Sequence, residues 1–325
     1  MSKEALLSVK NLKVSFFGEY GEVKAVNDIS FDIYKGESVG LVGKSGCGKS
    51  VTSLSIMGLL QTPARKQVTG EIIYGGINLL ELNEKEMLKL RGKDIGMIFQ
   101  DPMTSLNPLM KIGEQIAEAL TIHFDIIRKE ALKKSVELIK AVGIPRAEEI
   151  ANDYPHQLSG GMRQRIMIAI AMACEPKMLI ADEPTTALDV TIQAQIMALI
   201  KELIEKKQMS MLLITHDLGV VAESCDRVIV MYAGHIVEEA DISEIFDNPV
   251  HPYTKGLLKA IPRLDEGTEK LYSIPGTVPN NLNMPIGCPF APRCDCVSDK
   301  CMDQNPQKVE CSPGHFVKCW GVKNV

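Results

Sequence analysis

Residues 43–50 read Gly43-Lys44-Ser45-Gly46-Cys47-Gly48-Lys49-Ser50, the G-x-x-x-x-G-K-[ST] spacing of a loop that wraps phosphate. Ser38 to Val42, just before it, is a short apolar run that reads as a strand. The stretch from about Ser50 to Leu60 reads as a helix, which Pro63 stops. Strand, glycine-rich loop and helix in that order are the context the spacing requires. Gly43, Ser45, Gly46, Cys47 and Gly48 would turn backbone N–H groups toward a phosphate, and the following helix would add its positive end. Lys49 can reach the terminal phosphates and the Ser50 hydroxyl can ligate Mg²⁺. Binding of ATP or GTP follows, on an α/β fold built around this loop.

Outward from the loop, Val9 to Phe17 and Ile29 to Tyr34 alternate as antiparallel strands do, with Gly18 to Gly21 as the turn between them. Ile72, Ile73 and Ile95 to Phe99 predict further strands. Residues 110–142 change to helical spacing, in Ile112, Ile116 and Leu120 and again in Leu132, Val136 and Ile139, which predicts a helical insertion. Met178 to Ala181 and Met211 to Thr215 predict buried parallel strands around a helix at Val190 to Lys206. Val228 to Met231, followed by Gly234, predicts a terminal hairpin. Beyond Asp241 the chain is rich in proline, including Pro249, Pro252, Pro262, Pro275 and Pro279, and reads as an appended region.

Composition narrows the function classes. In 325 residues, 45% are hydrophobic and 24% charged, which excludes a disordered or collagen-like chain. With 36 basic and 41 acidic residues the net charge is −5, so no global field favours nucleic acid or anionic lipid. Ile166 to Cys174 is bounded by Arg165 and Glu175, far short of the about 20 apolar residues that span a bilayer. Residues 1–4 include an acid and lead into no long apolar stretch, so a cytoplasmic location is expected.

Three later segments carry chemistry. Leu158-Ser159-Gly160-Gly161-Met162 precedes an apolar helix, so Ser159, Gly160 and Gly161 stand where a second helix N-terminus can receive phosphate. The apolar run Met178-Leu179-Ile180-Ala181 ends in Asp182-Glu183: the first carboxylate can hold the Mg²⁺ shell and the second can polarise an attacking water. His216, after Thr215, supplies an imidazole for the γ-phosphate or the water.

Taken in order, the phosphate loop, Gln100, LSGGM, Asp182-Glu183, Ala187-Leu188-Asp189 and His216 resemble the nucleotide-binding subunits of ABC transporters. The resemblance covers roughly residues 5–240. It implies a P-loop ABC ATPase core with a mixed sheet and an antiparallel β subdomain over 1–240, and a helical subdomain at about 101–175. It also implies that each phosphate loop is completed by the Ser159-Gly160-Gly161 segment of a second subunit, with Asp189 at the dimer seam. Gln100 would contact Mg²⁺ and water. Phe16 is the adenine-stacking candidate, with Phe17 and Tyr20 as alternatives. Glu183, His216 and Gln100 form the expected catalytic set. Lys44 departs from the family pattern, which commonly has an acid there, and Cys47 stands in place of serine or glycine; the backbone cradle needs neither side chain.

QDPMTSLNP at 100–108, LSGGMRQR, ADEPTTALDV and HPYTKGLLKAIP at 251–262 narrow the resemblance to the ATP-binding subunits of dipeptide/oligopeptide and nickel importers. That family implies a partner ATPase subunit, a heterodimer more than a homodimer. It further implies two membrane permeases, an external peptide-binding protein reached through them, and a peripheral place on the cytoplasmic face of the membrane.

Of nine cysteines, six lie between Cys288 and Cys319. Clustered thiols in a cytosolic chain favour metal over disulfides, and a four-thiolate set suits iron–sulfur or zinc. Cys288, Cys294, Cys301 and Cys319 resemble the tail of dipeptide/oligopeptide ATPase subunits, some of which carry a 4Fe-4S cluster. On that resemblance 241–325 is expected to be a metal-binding extension, with peptide favoured over nickel. Zinc is the alternative metal, and Cys296 and Cys311 are each left open between a spare thiol and a replacement for one of the four ligands. Loss of the metal is expected to disorder residues after about Ser273 without stopping ATP binding. A soluble ABC-type ATPase of DNA maintenance is the competing class; it predicts heptad arms or a basic surface, and the chain shows neither.

Overall fold

The computed structural model describes residues 4–60, 65–186, 188–261, 272–279, 282 and 284–322. Pro63, Ala187, Pro262 and residues 1–3, used in the sequence reading, lie outside them. In chain order the described strands are β1 (Ala5–Gly18), β2 (Gly21–Tyr34), β3 (Ser38–Val42), β4 (Arg65–Tyr74), β5 (Ile77–Asn78), β6 (Ile95–Ile98), β7 (Met178–Asp182), β8 (Ser210–Thr215), β9 (Arg227–Tyr232), β10 (His235–Asp241), β11 (Val309–Ser312) and β12 (His315–Val317). The chain divides into two compact units. One holds Met1–Tyr34, Ser38–Glu81 and Ile214–Val325, and the other Lys35–Glu37 and Leu82–Leu213.

In the first unit, β1 and β2 form the expected antiparallel hairpin and β1 pairs β4 on its other edge, in the order β2-β1-β4-β5. Leu7, Val9, Leu12 and Val14 of β1 and Ile29, Phe31 and Ile33 of β2 are buried, the period-two pattern of a sheet with one covered face. The register shifts between Val9 and Leu12, where Asn11 takes φ 48° and bulges the strand. A second run of strands, β11-β12-β10-β9-β3, holds β3 parallel to β9, from Val39 opposite Arg227 to Val42 opposite Val230.

The β9–β10 hairpin is not terminal as the sequence predicted. Glu238 and Glu239 of β10 pair with Val317 and Phe316 of β12, so the C-terminal region extends the sheet. Buried polar contacts fix this junction. The Glu238 carboxylate accepts the N–H groups of Val250 (2.6 Å) and His251 (3.0 Å) and contacts His315 Nε2 at 2.8 Å. Glu239 pairs with Arg227 and, at 2.7 Å, with Lys308. Tyr232, Tyr253 and Phe290 pack in tilted and edge-to-face arrangements with ring centroids 4.6–5.5 Å apart. Arg293 ties the proline-rich stretch down by donating to the carbonyls of Pro275 (2.7 Å) and Ile274 (2.8 Å).

In the second unit β6 runs parallel to β7, from Ile95 opposite Met178 to Ile98 opposite Ala181. All residues of β6, β7 and β8 are buried, which explains their continuous rather than alternating apolar sequence. The helical insertion is present as Ile112–His123 and Arg128–Ala141. The first helix buries Ile112, Ile116 and Leu120 as expected. The second buries Ala131, Ser135 and Ile139, so its inward face is centred one residue before Leu132 and Val136. The side chains turned inward at Ala131 and Ser135 are the small ones, and Ser135 satisfies its hydroxyl on the Leu132 carbonyl at 2.7 Å. Among the described residues no helix is long and apolar enough to cross a membrane.

Candidate functional site

The first unit carries the phosphate loop. It leaves β3 at Val42 and enters the helix Lys49–Ile56, shorter than the sequence suggested, with Gly48 at its N-cap. A Cβ on Gly43, whose φ is 158°, would run into the Met231 carbonyl and stand 2.6 Å from the Cys47 sulfur, so only glycine fits. The loop is fastened at several points. Lys49, 4% exposed, donates Nζ to the Gly43 carbonyl at 2.7 Å. Gly234 N–H reaches the Cys47 carbonyl at 3.0 Å, and Lys44 N–H reaches the Tyr253 hydroxyl at 3.0 Å. Lys44, Ser45 and Gly46 are exposed, whereas Cys47 is buried.

In the same unit His216 is exposed directly after β8. The turn that carries it is set by Thr215, whose Oγ1 accepts the Asp217 N–H at 3.0 Å, and by Asp217, which accepts Gly219 N–H at 2.8 Å. Of the three aromatic candidates for a base, Phe16 is half-buried between Val23 and Lys66 of the flanking strands. Phe17 takes Arg65 6.0 Å from its ring centroid, and Tyr20 is 89% exposed in the hairpin turn.

The second unit carries the carboxylates. Asp182 ends β7 at 4% exposure. Glu183 follows with φ 46°, a left-handed conformation that costs a non-glycine residue on the order of 1 kcal/mol or more and concentrates at functional positions. Its Oε2 accepts Gln100 Nε2 at 3.1 Å and Thr186 Oγ1 at 3.0 Å. The sequence reading missed Thr186; its only signal was a hydroxyl three residues after the glutamate. Ser159 is the N-cap of the helix Gly160–Met172, accepting Met162 N–H at 3.3 Å. Asp189 caps Val190–Lys207 through Ile192 N–H at 2.9 Å. A Cβ on Gly161 would stand 3.0 Å from Ile192, so the start of the first helix lies close against that of the second. The opening amides of Gly160–Met172 form an anion-attracting end.

The cysteines divide unevenly. Cys288, Cys294, Cys296, Cys301 and Cys319 line one cavity of about 120 Å³, together with His251, Phe290 and Trp320. Cys288 N–H donates to the Cys301 carbonyl at 2.8 Å, and a Cβ on Gly287 would overlap that carbonyl, so the two segments are in backbone contact. Burial pushes the Cys288 thiol up to about 11 and raises Cys294 and Cys319. Cys311, in β11, contacts the His315 carbonyl at 3.4 Å instead. Among the described residues no group of three or more His, Cys, Asp or Glu side chains closes on a common point that would hold a metal ion. The metal-binding character expected of the extension is therefore not established by these positions: the thiols share a cavity wall without converging.

Known proteins place this arrangement. The ABC transporter family matches residues 26–186, and the family of the oligopeptide/dipeptide transporter C-terminal region matches residues 237–301. The chain is 54% identical to the oligopeptide transport ATP-binding protein AppD of Bacillus subtilis, over 97% of this chain and 96% of that one. It is 53% identical to the dipeptide transport ATP-binding protein DppD of the same organism (98% and 95%). It is 50% identical to the oligopeptide transport ATP-binding protein OppD of Escherichia coli (98% and 93%). Among solved structures it is similar to the ATP-binding cassette MJ0796 in a dimeric post-hydrolysis state bound to ADP and Pi, with a TM-score of 0.65 and 30% identity. That match covers 73% of this chain and 98% of the other. The likeness thus runs over nearly the whole length of this chain and of these relatives, and the chain belongs to the family of oligopeptide/dipeptide ABC-transporter ATP-binding proteins.

Proposed function

We propose that this chain is the ATP-hydrolysing subunit of an importer of dipeptides or oligopeptides, peripheral to the cytoplasmic face of the membrane. It works with a second ATPase subunit, two membrane permeases and an external peptide-binding protein. Peptide as cargo is supported by the match of residues 237–301 and by the names of relatives at 50–54% identity.

The observation that carries the hydrolytic reading is the Glu183 carboxylate, held by Gln100 and Thr186 on a left-handed backbone directly after Asp182. In this reading Gly43, Ser45, Gly46, Cys47, Gly48 and Lys49 cradle the phosphates, and the adenine stacks on Phe16. Ser50, Gln100 and Asp182 hold the magnesium, which when bound neutralises phosphate charge. Glu183 takes the proton of the attacking water and His216 hydrogen-bonds the γ-phosphate. Ser159, Gly160 and Gly161 address the nucleotide of the partner subunit, so ATP draws the two subunits together and hydrolysis releases them.

Cys288, Cys294, Cys301 and Cys319, which line one cavity with Cys296, are the proposed ligands of a 4Fe-4S cluster, thiolates being soft ligands suited to iron–sulfur. Such a group would supply a covalent cross-link for the tail. Iron with acid-labile sulfide in protein purified without oxygen supports it; zinc alone replaces it. The transport reading is tested by isolating the native complex and measuring ATP-driven peptide uptake into vesicles. A complex without permeases, or an ATPase stimulated by DNA, refutes it.

A further inference from the structure

The entry of the phosphate loop is fastened by a side chain 209 positions away in sequence: the hydroxyl of Tyr253 accepts the backbone N–H of Lys44 at 3.0 Å. We propose that Tyr253 is a positioning residue for nucleotide binding, fixing the Gly43–Lys44 peptide and through it the lysine of the loop. The proposal rests on the nucleotide-binding reading above and extends it to the C-terminal region.

The peptide in question has two ends. Its N–H, on Lys44, is held by Tyr253, and its carbonyl, on Gly43, holds Lys49 Nζ at 2.7 Å. Because the peptide unit is planar, fixing the N–H fixes the direction of the carbonyl. Rotation about the flanking bonds would carry the Gly43 oxygen away from the ammonium that has to meet the phosphates. The next turn is pinned separately, by Cys47 N–H on the Lys44 carbonyl (3.2 Å) and Gly234 N–H on the Cys47 carbonyl (3.0 Å). Tyr253 is thus the fastening for the first peptide of the loop.

The tyrosine itself is over-determined. It is the second residue of the helix Pro252–Lys259 and is 0% exposed. Its own N–H donates to Nδ1 of His251, the N-cap, at 3.1 Å, and the backbone leading into the cap is held by Glu238. Its ring is packed between Tyr232 and Phe290. A hydroxyl held this firmly can order an exposed loop at no further entropic cost when nucleotide arrives. Lys44 is exposed and phenylalanine keeps the buried ring, so the predicted effect is a loosened loop rather than an unfolded protein.

The test is Tyr253→Phe in the full chain, read by titration with a fluorescent ATP analogue and by ATPase kinetics. Nucleotide affinity should weaken about three- to tenfold, the size of one hydrogen bond, and KM should rise with kcat unchanged. Tyr232→Phe removes the neighbouring ring's hydroxyl, which touches Arg293 and not the loop, and should leave both at wild type. Wild-type affinity in Tyr253→Phe overturns the proposal, as does a fall in kcat at unchanged affinity. Should the variant not fold, amide hydrogen exchange of the wild-type chain decides. Lys44 N–H should be protected relative to Ser45 and Gly46, and equal exchange overturns the assignment. Failure of the wild-type chain to bind the analogue at all would instead refute the nucleotide reading.

Discussion

Gln100 and Glu183, 83 positions apart in sequence, are joined by a 3.1 Å hydrogen bond from the amide to one carboxylate oxygen. The glutamate is the first residue after β7, on a left-handed backbone, and the glutamine stands two residues past the end of the adjacent parallel strand β6. The register of β6 on β7 therefore places both at the same end of the strand pair. A carboxylate positioned this way suits a base that must accept a proton from a water whose location is fixed. Glu183→Gln should keep ATP affinity and lower phosphate release by at least about 100-fold, the usual share of a general base. Turnover at the wild-type rate in that variant would remove Glu183 from the role.

Thr186 shares the same carboxylate oxygen at 3.0 Å. Replacing it with valine keeps the branched shape and deletes the donor. If the hydroxyl only orients Glu183, kcat should fall about three- to tenfold, one hydrogen bond, with nucleotide affinity untouched. An affinity loss without a change in kcat would place Thr186 in binding instead.

Two buried histidines make the fold sensitive to acid. Burial pushes His251 down to about 3, with Lys255 adding to it, and pushes His235 down to about 4, with Lys318 adding to it. In the unfolded chain both titrate near the ordinary value of about 6.5. Below that pH the unfolded chain binds protons that the folded one refuses, so stability falls as pH drops toward 4 and is intact above about 7. The melting temperature should therefore decline from pH 7 to pH 5. His251→Asn, whose side-chain oxygen can still accept Tyr253 N–H, should flatten that decline. An unchanged slope in the variant would show that other groups cause it.

Much of this was legible from local signals. The spacing of Gly43 to Ser50 fixed the strand–loop–helix unit because backbone amides and a helix end dictate it, and the alternation in β1 and β2 fixed the hairpin. What was not legible depends on distant pairing. The inward face of Arg128–Ala141 follows the small residues Ala131 and Ser135, and apolar periodicity alone pointed to Leu132 and Val136. The pairing of Glu238 and Glu239 with β12 was hidden because two adjacent acids in a strand read as an exposed end. In fact both are buried: Glu239 pairs with Arg227 and Lys308, and Glu238 is hydrogen-bonded to two backbone N–H groups and to His315. Tyr253 was visible only as part of a family-like motif, since nothing near it in sequence names Lys44 as its partner.

The tail now has two kinds of support, and they separate its response to metal loss. Val309–Val317 is held by strand pairing to β10 and by Lys308 on Glu239, neither of which involves a thiol of the cavity. The segment around Cys288, Cys294, Cys296 and Cys301, with Cys319 and Trp320, has the cavity as its shared feature. Treatment with a chelator, or Cys288→Ser with Cys301→Ser, should raise hydrogen exchange over residues 287–301 and 319–321 and leave β11 and β12 protected. That loss is narrower than disorder of everything after Ser273. Phe290 lines the cavity and also packs 5.5 Å from Tyr253, so nucleotide affinity should fall no further than in Tyr253→Phe. Complete loss of ATP binding would mean that the tail holds the nucleotide site together by a route other than this ring, and uniform exchange across 287–322 would mean that strand pairing does not hold the tail once the thiols are free.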